Sequence, residues 1–191
     1  MKYLAIYTII PLMLFSGCRS KKTIADAAYA ISNEQSSIQA DPKLKYYDQA
    51  TWLLGYFSVN RLLQAPYSEW YIQEYDDYQP QSEFTDKLRG LDYKDISILI
   101  VLGTWCPDSR REVPRFMRIT DVIGFPRDHL EFVGVDNVKI SPIENYDALG
   151  IERVPTFIFY RNKVETGRII ETPATSLEQD MLNILTRNEK Q

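Results

Sequence analysis

Apolar and polar positions along the chain fall into three regimes. Tyr3 to Phe15 is almost wholly apolar, a 13-residue run that suits the core of a signal peptide and is too short to span a bilayer. From Arg19 to about Lys45 the sequence is polar and aperiodic, broken by Asp41-Pro42, which predicts a flexible tether. Beyond it the apolar positions become periodic, and elements can be assigned.

Residues 46–91 predict an aromatic-rich helical extension. The spacing of Trp52-Leu53, Tyr56-Phe57 and Leu62-Leu63 is roughly helical; Tyr67 to Tyr75 forms a second helix and Phe84 to Leu91 a third. Ile96 to Leu102 is a β-branched apolar run suited to a central strand buried on both faces. Ser109 to Ile123 is helical, with Val113, Phe116, Met117, Thr120 and Ile123 on one side. Leu130 to Val135 is a second buried strand, and Glu144 to Leu149 a short helix ended by Gly150. Thr156 to Tyr160 and Val164 to Ile170 predict an antiparallel hairpin. Thr175-Ser176-Leu177-Glu178 reads as a capping box opening a last helix, with Leu177, Met181, Leu182 and Leu185 inward. The order from residue 92 is β-α-β-α-β-β-α, an α/β domain with a central mixed sheet flanked by helices.

Composition adds exclusions. With 45% apolar residues, 13 tyrosines, 8 phenylalanines and 3 tryptophans, the chain can bury a real core and is not of disordered composition. A net charge of −4 without a basic stripe argues against nucleic acid as a partner. Two cysteines and one histidine, His129, form no cluster of metal-ligand spacing, so no metal or other cofactor is expected. His129, at the entrance to the second strand, is read as a turn residue without a role.

Ser16-Gly17-Cys18, at the abrupt end of the apolar run, resembles a bacterial lipoprotein signal. The departure is Phe15, where that signal most often has Leu. The resemblance implies removal of residues 1–17, a diacylated Cys18 at the head of the tether (residues 18–45), and a lipid-anchored, periplasm-facing location in the cell envelope.

Thr104-Trp105-Cys106-Pro107-Asp108-Ser109 lies between the first strand and its helix. A cysteine at a helix N-terminus meets free backbone N–H groups and the positive end of the helix dipole, which favour thiolate over thiol. The thiolate is the attacking species in disulfide exchange. Arg110 and Arg111 add to that field and Asp108 opposes it. Asp108 is either a proton acceptor for the thiol or a helix-start residue.

Residues 92–191 resemble the thioredoxin-like superfamily. The resemblance rests on Trp105-Cys106-Pro107-x-Ser109, on Pro114 eight residues past the cysteine, and on Val154-Pro155-Thr156. The flanks Gly103-Thr104-Trp105-Cys106 and Arg111 to Phe116 further resemble thioredoxin-like lipoproteins of Bacteroidetes-type bacteria. It implies that Pro114 kinks the active-site helix. It also implies that Pro155 is a cis-proline facing Cys106, and that Val154-Pro155, with Pro107, holds a substrate strand.

The departures narrow the chemistry. Ordinary thioredoxins have a second cysteine where this chain has Ser109, and a buried carboxylate where it has Ile100. Without a resolving thiol, Cys106 is confined to monothiol exchange, as an oxidoreductase or isomerase acting on extracytoplasmic protein thiols and disulfides. Release then needs an outside thiol donor or a second substrate cysteine, and Ser109 is placed to donate a hydrogen bond to the thiolate. The alternative is a non-enzymatic binding module of the envelope that keeps the fold and the groove.

Overall fold

The computed structural model describes Lys45 and residues 47–187. The expected leader, Cys18 and nearly all of the tether lie outside the described residues. Over the described residues the chain is α/β, with a five-stranded mixed sheet and four α-helices. Its strands are β1 (Gly55–Phe57), β2 (Ile96–Leu102), β3 (Leu130–Gly134), β4 (Thr156–Arg161) and β5 (Val164–Ile170), and its helices are α1 (Ser68–Asp77), α2 (Ser82–Arg89), α3 (Pro107–Ile123) and α4 (Leu177–Thr186).

The sheet order is β1-β3-β2-β4-β5. Only β2 and β3 run parallel; β1 on β3, β4 on β2 and β5 on β4 are antiparallel. Successive strand residues point to opposite faces, and β2 feeds two cores that way. Ile96, Ile98, Ile100 and Leu102 face one cluster, with Val113, Phe116 and Met117 of α3 and Leu177, Met181 and Leu185 of α4. Leu99 and Val101 face the other, with Val133, Val135, Tyr146, Val154, Ile158 and Cys106. Tyr71 of α1 and Leu88 of α2 belong to the first cluster, so all four α-helices bury side chains on that face. The second face is covered by the 3-10 turn Tyr146–Leu149 and its flanking Ile143 and Ile151. A strand buried on both sides reads as a continuous apolar run.

Local chemistry sets the ends of the elements. Pro107 occupies the first turn of α3, where its missing N–H costs nothing, and Gly124 closes the helix in the left-handed region at φ 71°. Pro114 lies inside α3 and is buried. Asn162 and Lys163, both at positive φ, join β4 to β5 in a two-residue turn. Gly150 ends the short 3-10 turn at φ 59°.

Three local expectations are revised. The segment 52–63, expected as helical, holds strand β1 followed by the 3-10 turn Val59–Arg61. Aromatic pairs four residues apart fit a helix locally, but pairing of Gly55, Tyr56 and Phe57 with Gly134, Val133 and Phe132 satisfies the backbone in the sheet instead. The extension is therefore helix plus strand, and its strand is the edge of the main sheet. Second, the cap of α4 is Ser176, which accepts from Gln179 N–H at 3.2 Å, and not Thr175. Glu178 cannot close a box because it turns inward and is 0% exposed. Third, the segment expected as a helix over Glu144 to Leu149 is the shorter 3-10 turn.

Candidate active site

Strand β2 delivers the chain into a tight turn, Gly103 to Cys106, closed by Cys106 N–H donating to the Gly103 carbonyl at 2.9 Å. Cys106 has extended backbone (φ −80°, ψ 126°) and is the N-cap of α3, with its own carbonyl accepting from Arg110 N–H at 3.1 Å. The first-turn amides of α3 have no partners within the helix, and the Cys106 side chain makes no cap hydrogen bond to them.

The thiol is 7% exposed and is the free cysteine of the described residues. Its S–H donates to the Val154 carbonyl at 3.3 Å, across 48 residues of sequence. Val154–Pro155 is a cis peptide, and both residues are buried. Ala65–Pro66 is also cis, which nothing in the sequence pattern marked. The Pro155 carbonyl accepts from Glu171 N–H at 2.7 Å, and Arg153 pairs with the Glu171 carboxylate at 2.6 Å. The loop before β4 is thus fixed on the end of β5, and the Val154 carbonyl is its group turned to the sulfur.

Ser109 is 0% exposed, and its hydroxyl oxygen accepts from Gly103 N–H at 3.3 Å. One lone pair of that oxygen is thus taken up by the turn that carries the thiol. Trp105 donates its indole N–H to the Val135 carbonyl at 3.1 Å. Gly103 is demanded by the same ring: a Cβ there would lie 2.5 Å from Trp105 Cε2. Pro107 is exposed beside the thiol.

Asp108 pairs with Arg111 at 2.8 Å, and Arg111 pairs again with Glu112 at 2.7 Å. The hydrogen bond that Arg111 donates to Glu112, foremost, holds its guanidinium charged, with Asp108 adding to it. Two carboxylates share the Arg111 charge, so Asp108 is an ion-pair partner in the first turn of α3. Glu112 is itself only 5% exposed, and sequence reasoning passed over it. His129 is half-buried with its ring 6.2 Å from Phe125, far from any site residue in the contacts it makes.

The structure thus brings together Cys106, Val154 and Pro155, and sets Trp105, Ser109, Asp108 and Pro107 on the same turn and helix start. The residues missed that support this turn are Trp52 and Leu53. Leu53 N–H donates to Thr104 Oγ1 at 3.4 Å, and Trp52 lies against Trp105. Their one sequence signal was membership of an aromatic-rich stretch.

Among the described residues no helix is long and apolar enough to cross a membrane, and no three His, Cys, Asp or Glu side chains group as metal ligands. No protein-family model matches the chain, and no curated protein matches it. Among solved structures it is similar to a Pseudomonas aeruginosa protein of unknown function. That protein is 16% identical, over 63% of this chain and 70% of that chain, at a TM-score of 0.39, a likeness too slight to carry an argument.

Proposed function

We propose that this is a thioredoxin-like protein of the cell envelope that performs monothiol thiol–disulfide exchange on extracytoplasmic proteins through Cys106. The observation that carries the reading is the Cys106 thiol at the N-cap of α3, 3.3 Å from the carbonyl that precedes a cis-proline. The anchor is the diacylated Cys18, after removal of residues 1–17.

The chemistry runs in two exchanges. Cys106 gives up its proton to solvent, and the sulfur then no longer donates to Val154. Deprotonation therefore produces the nucleophile and releases the Val154 carbonyl to accept an N–H from a substrate strand in one event. The thiolate attacks one sulfur of a substrate disulfide; a Cys106–substrate S–S bond forms, the substrate S–S bond breaks, and the departing sulfur leaves as thiolate. In the second exchange another thiolate attacks the substrate sulfur of the mixed disulfide and expels Cys106. If that thiolate belongs to the substrate, disulfides are rearranged with no net redox change. If it belongs to an outside protein or small-molecule thiol, that thiol ends up disulfide-bonded to the substrate.

One observation favours a second reading, a binding module without turnover: the sulfur is almost fully covered. Cys106→Ala discriminates the two. Mixed disulfides resolved on non-reducing gels from cells making the wild type, and absent from Cys106→Ala, support exchange. Partner capture that survives Cys106→Ala unchanged, with no mixed disulfide in the wild type, overturns it in favour of the module. For the anchor, Cys18→Ala should abolish acyl labelling and signal processing; unchanged processing refutes the lipoprotein reading.

A further inference from the structure

The turn that carries the thiol is held from outside the motif, by the segment just before β1. Trp52 sets its ring 6.2 Å from that of Trp105, with the planes at 52°. Next to it, Leu53 N–H donates to Thr104 Oγ1 at 3.4 Å, and Thr104 is fully buried. The Leu53 carbonyl oxygen stands 2.0 Å from where a Cβ on Gly134 would be. Residue 134 has to be glycine because Leu53 lies directly on the end of β3.

Trp105 is restrained on two other sides. Its indole N–H is tied to the Val135 carbonyl at 3.1 Å, and its ring lies on the Cα of Gly103, with no room for a Cβ. An indole has two torsions. A hydrogen bond at one edge and a backbone against the ring still leave it freedom to tilt, and Trp52 is the neighbouring ring it meets, at 6.2 Å.

We infer that Trp52 is a positioning residue for Cys106: packed on Trp105, beside the Leu53–Thr104 hydrogen bond, it fixes the turn 103–106 and through that turn sets how large a partner reaches the sulfur. The inference deepens the proposed function and rests on Cys106 as its reacting thiol. It gives the aromatic extension a defined task at the site. The expected substrate class follows: a cysteine presented on an extended, slender segment, and not one set in a bulky folded surface.

The test uses the full chain carrying Cys18→Ser, so that Cys106 is its one thiol. Alkylation rates are measured with iodoacetamide and with a maleimide on a long polyethylene glycol chain. Their ratio is compared among the parent, Trp52→Ala, Trp52→Phe and Thr104→Val. The expected result is a several-fold rise in the bulky-to-small ratio for Trp52→Ala, largely restored by Trp52→Phe, with Thr104→Val between them. A general loosening would speed both reagents alike and leave the ratio at the parent value, which overturns the inference. If Trp52→Ala loses its cooperative unfolding transition, the ratio is read on Thr104→Val alone, and a parent-like ratio there overturns it. Mixed-disulfide trapping by the wild type is scored separately. Trapping with an unmoved ratio removes the gate and leaves the exchange reading, whereas a moved ratio without trapping leaves the gate and removes that reading.

Discussion

Tyr78 Oη donates to Glu178 Oε1 at 2.9 Å, joining positions 100 residues apart. The same oxygen accepts from Gln81 N–H at 3.1 Å, and Glu178 is 0% exposed. The link from α1 to α2 is thus fastened to the first turn of α4. Burial, and then the Glu178 carboxylate, push the Tyr78 phenol above its ordinary range, so Tyr78 remains a donor.

Glu178→Ala should therefore destabilise, because it strands two donors and opens a hole. Leaving a buried donor unpaired costs about 1–3 kcal/mol, and with both donors only part-buried the loss belongs at the lower end of that range. Urea unfolding should show a loss of that size, and Tyr78→Phe a smaller one, since Gln81 still meets the carboxylate. A change within about 0.5 kcal/mol for Glu178→Ala, as at an ordinary surface position, would contradict the clasp.

Gly134→Ala should be costly for a different reason. The added Cβ meets the Leu53 carbonyl at 2.0 Å, and backbone cannot rotate out of the way. Overpacking typically costs about 1–3 kcal/mol. The thermal midpoint should fall, and the fluorescence of Trp52 and Trp105 should change with it. Gly124→Ala serves as the contrast: nothing lies within 4 Å of its added Cβ, and the penalty there comes from φ 71° alone. If the two variants show equal losses and unchanged fluorescence, the close approach of Leu53 is not what Gly134 serves.

Ser109 offers a chemical prediction. Ser109→Ala takes the acceptor from Gly103 N–H, at a cost of about 1–3 kcal/mol for a buried donor. Ser109→Cys places a second sulfur where ordinary thioredoxins carry one, and mild oxidation should then yield an intramolecular disulfide between Cys106 and the introduced thiol. Thiol titration after oxidation, in a Cys18→Ser background, should fall from two groups to none. Two thiols that persist would argue that the turn departs from dithiol geometry.

Alkaline pH should unfold the protein early. Burial raises Tyr93 and Tyr146 to about 12 from an ordinary 10, with Asp136 and Asp147 adding to the shift of Tyr146. A folded-state value above the unfolded one means the folded state holds more protons between the two. Stability is then fully present below about pH 10 and falls as pH rises toward 12, each tyrosine adding up to about 1.4 kcal/mol per pH unit. Tyr93→Phe and Tyr146→Phe should each flatten the stability profile between those limits. An unchanged slope would mean neither phenol carries the linkage.

The sequence by itself determined the strands and helices whose burial follows from their own pattern. Ile96–Leu102 is apolar at all but Ser97 because both its faces are covered, and the apolar side of α3 is marked over Ser109 to Ile123. The Asn162-Lys163 turn and Gly150 are likewise local chemistry. At the site, Cys106 at a helix start and Val154-Pro155 before a strand were named from the sequence, and the structure sets the sulfur 3.3 Å from the Val154 carbonyl.

Only the tertiary structure decided the rest, wherever the deciding partner lies far along the chain. β1 is a strand because β3 offers it a ladder, whereas the spacing of the apolar pairs around it fits a helix as readily. Glu178 matches a capping box by spacing, yet Tyr78 and Gln81 hold it inside. Ser109 faces the Gly103 amide, and Trp52 reaches Trp105 from 53 positions away. Periodicity reports which residues seek burial; which partner satisfies each hydrogen bond is fixed only when distant segments close on one another.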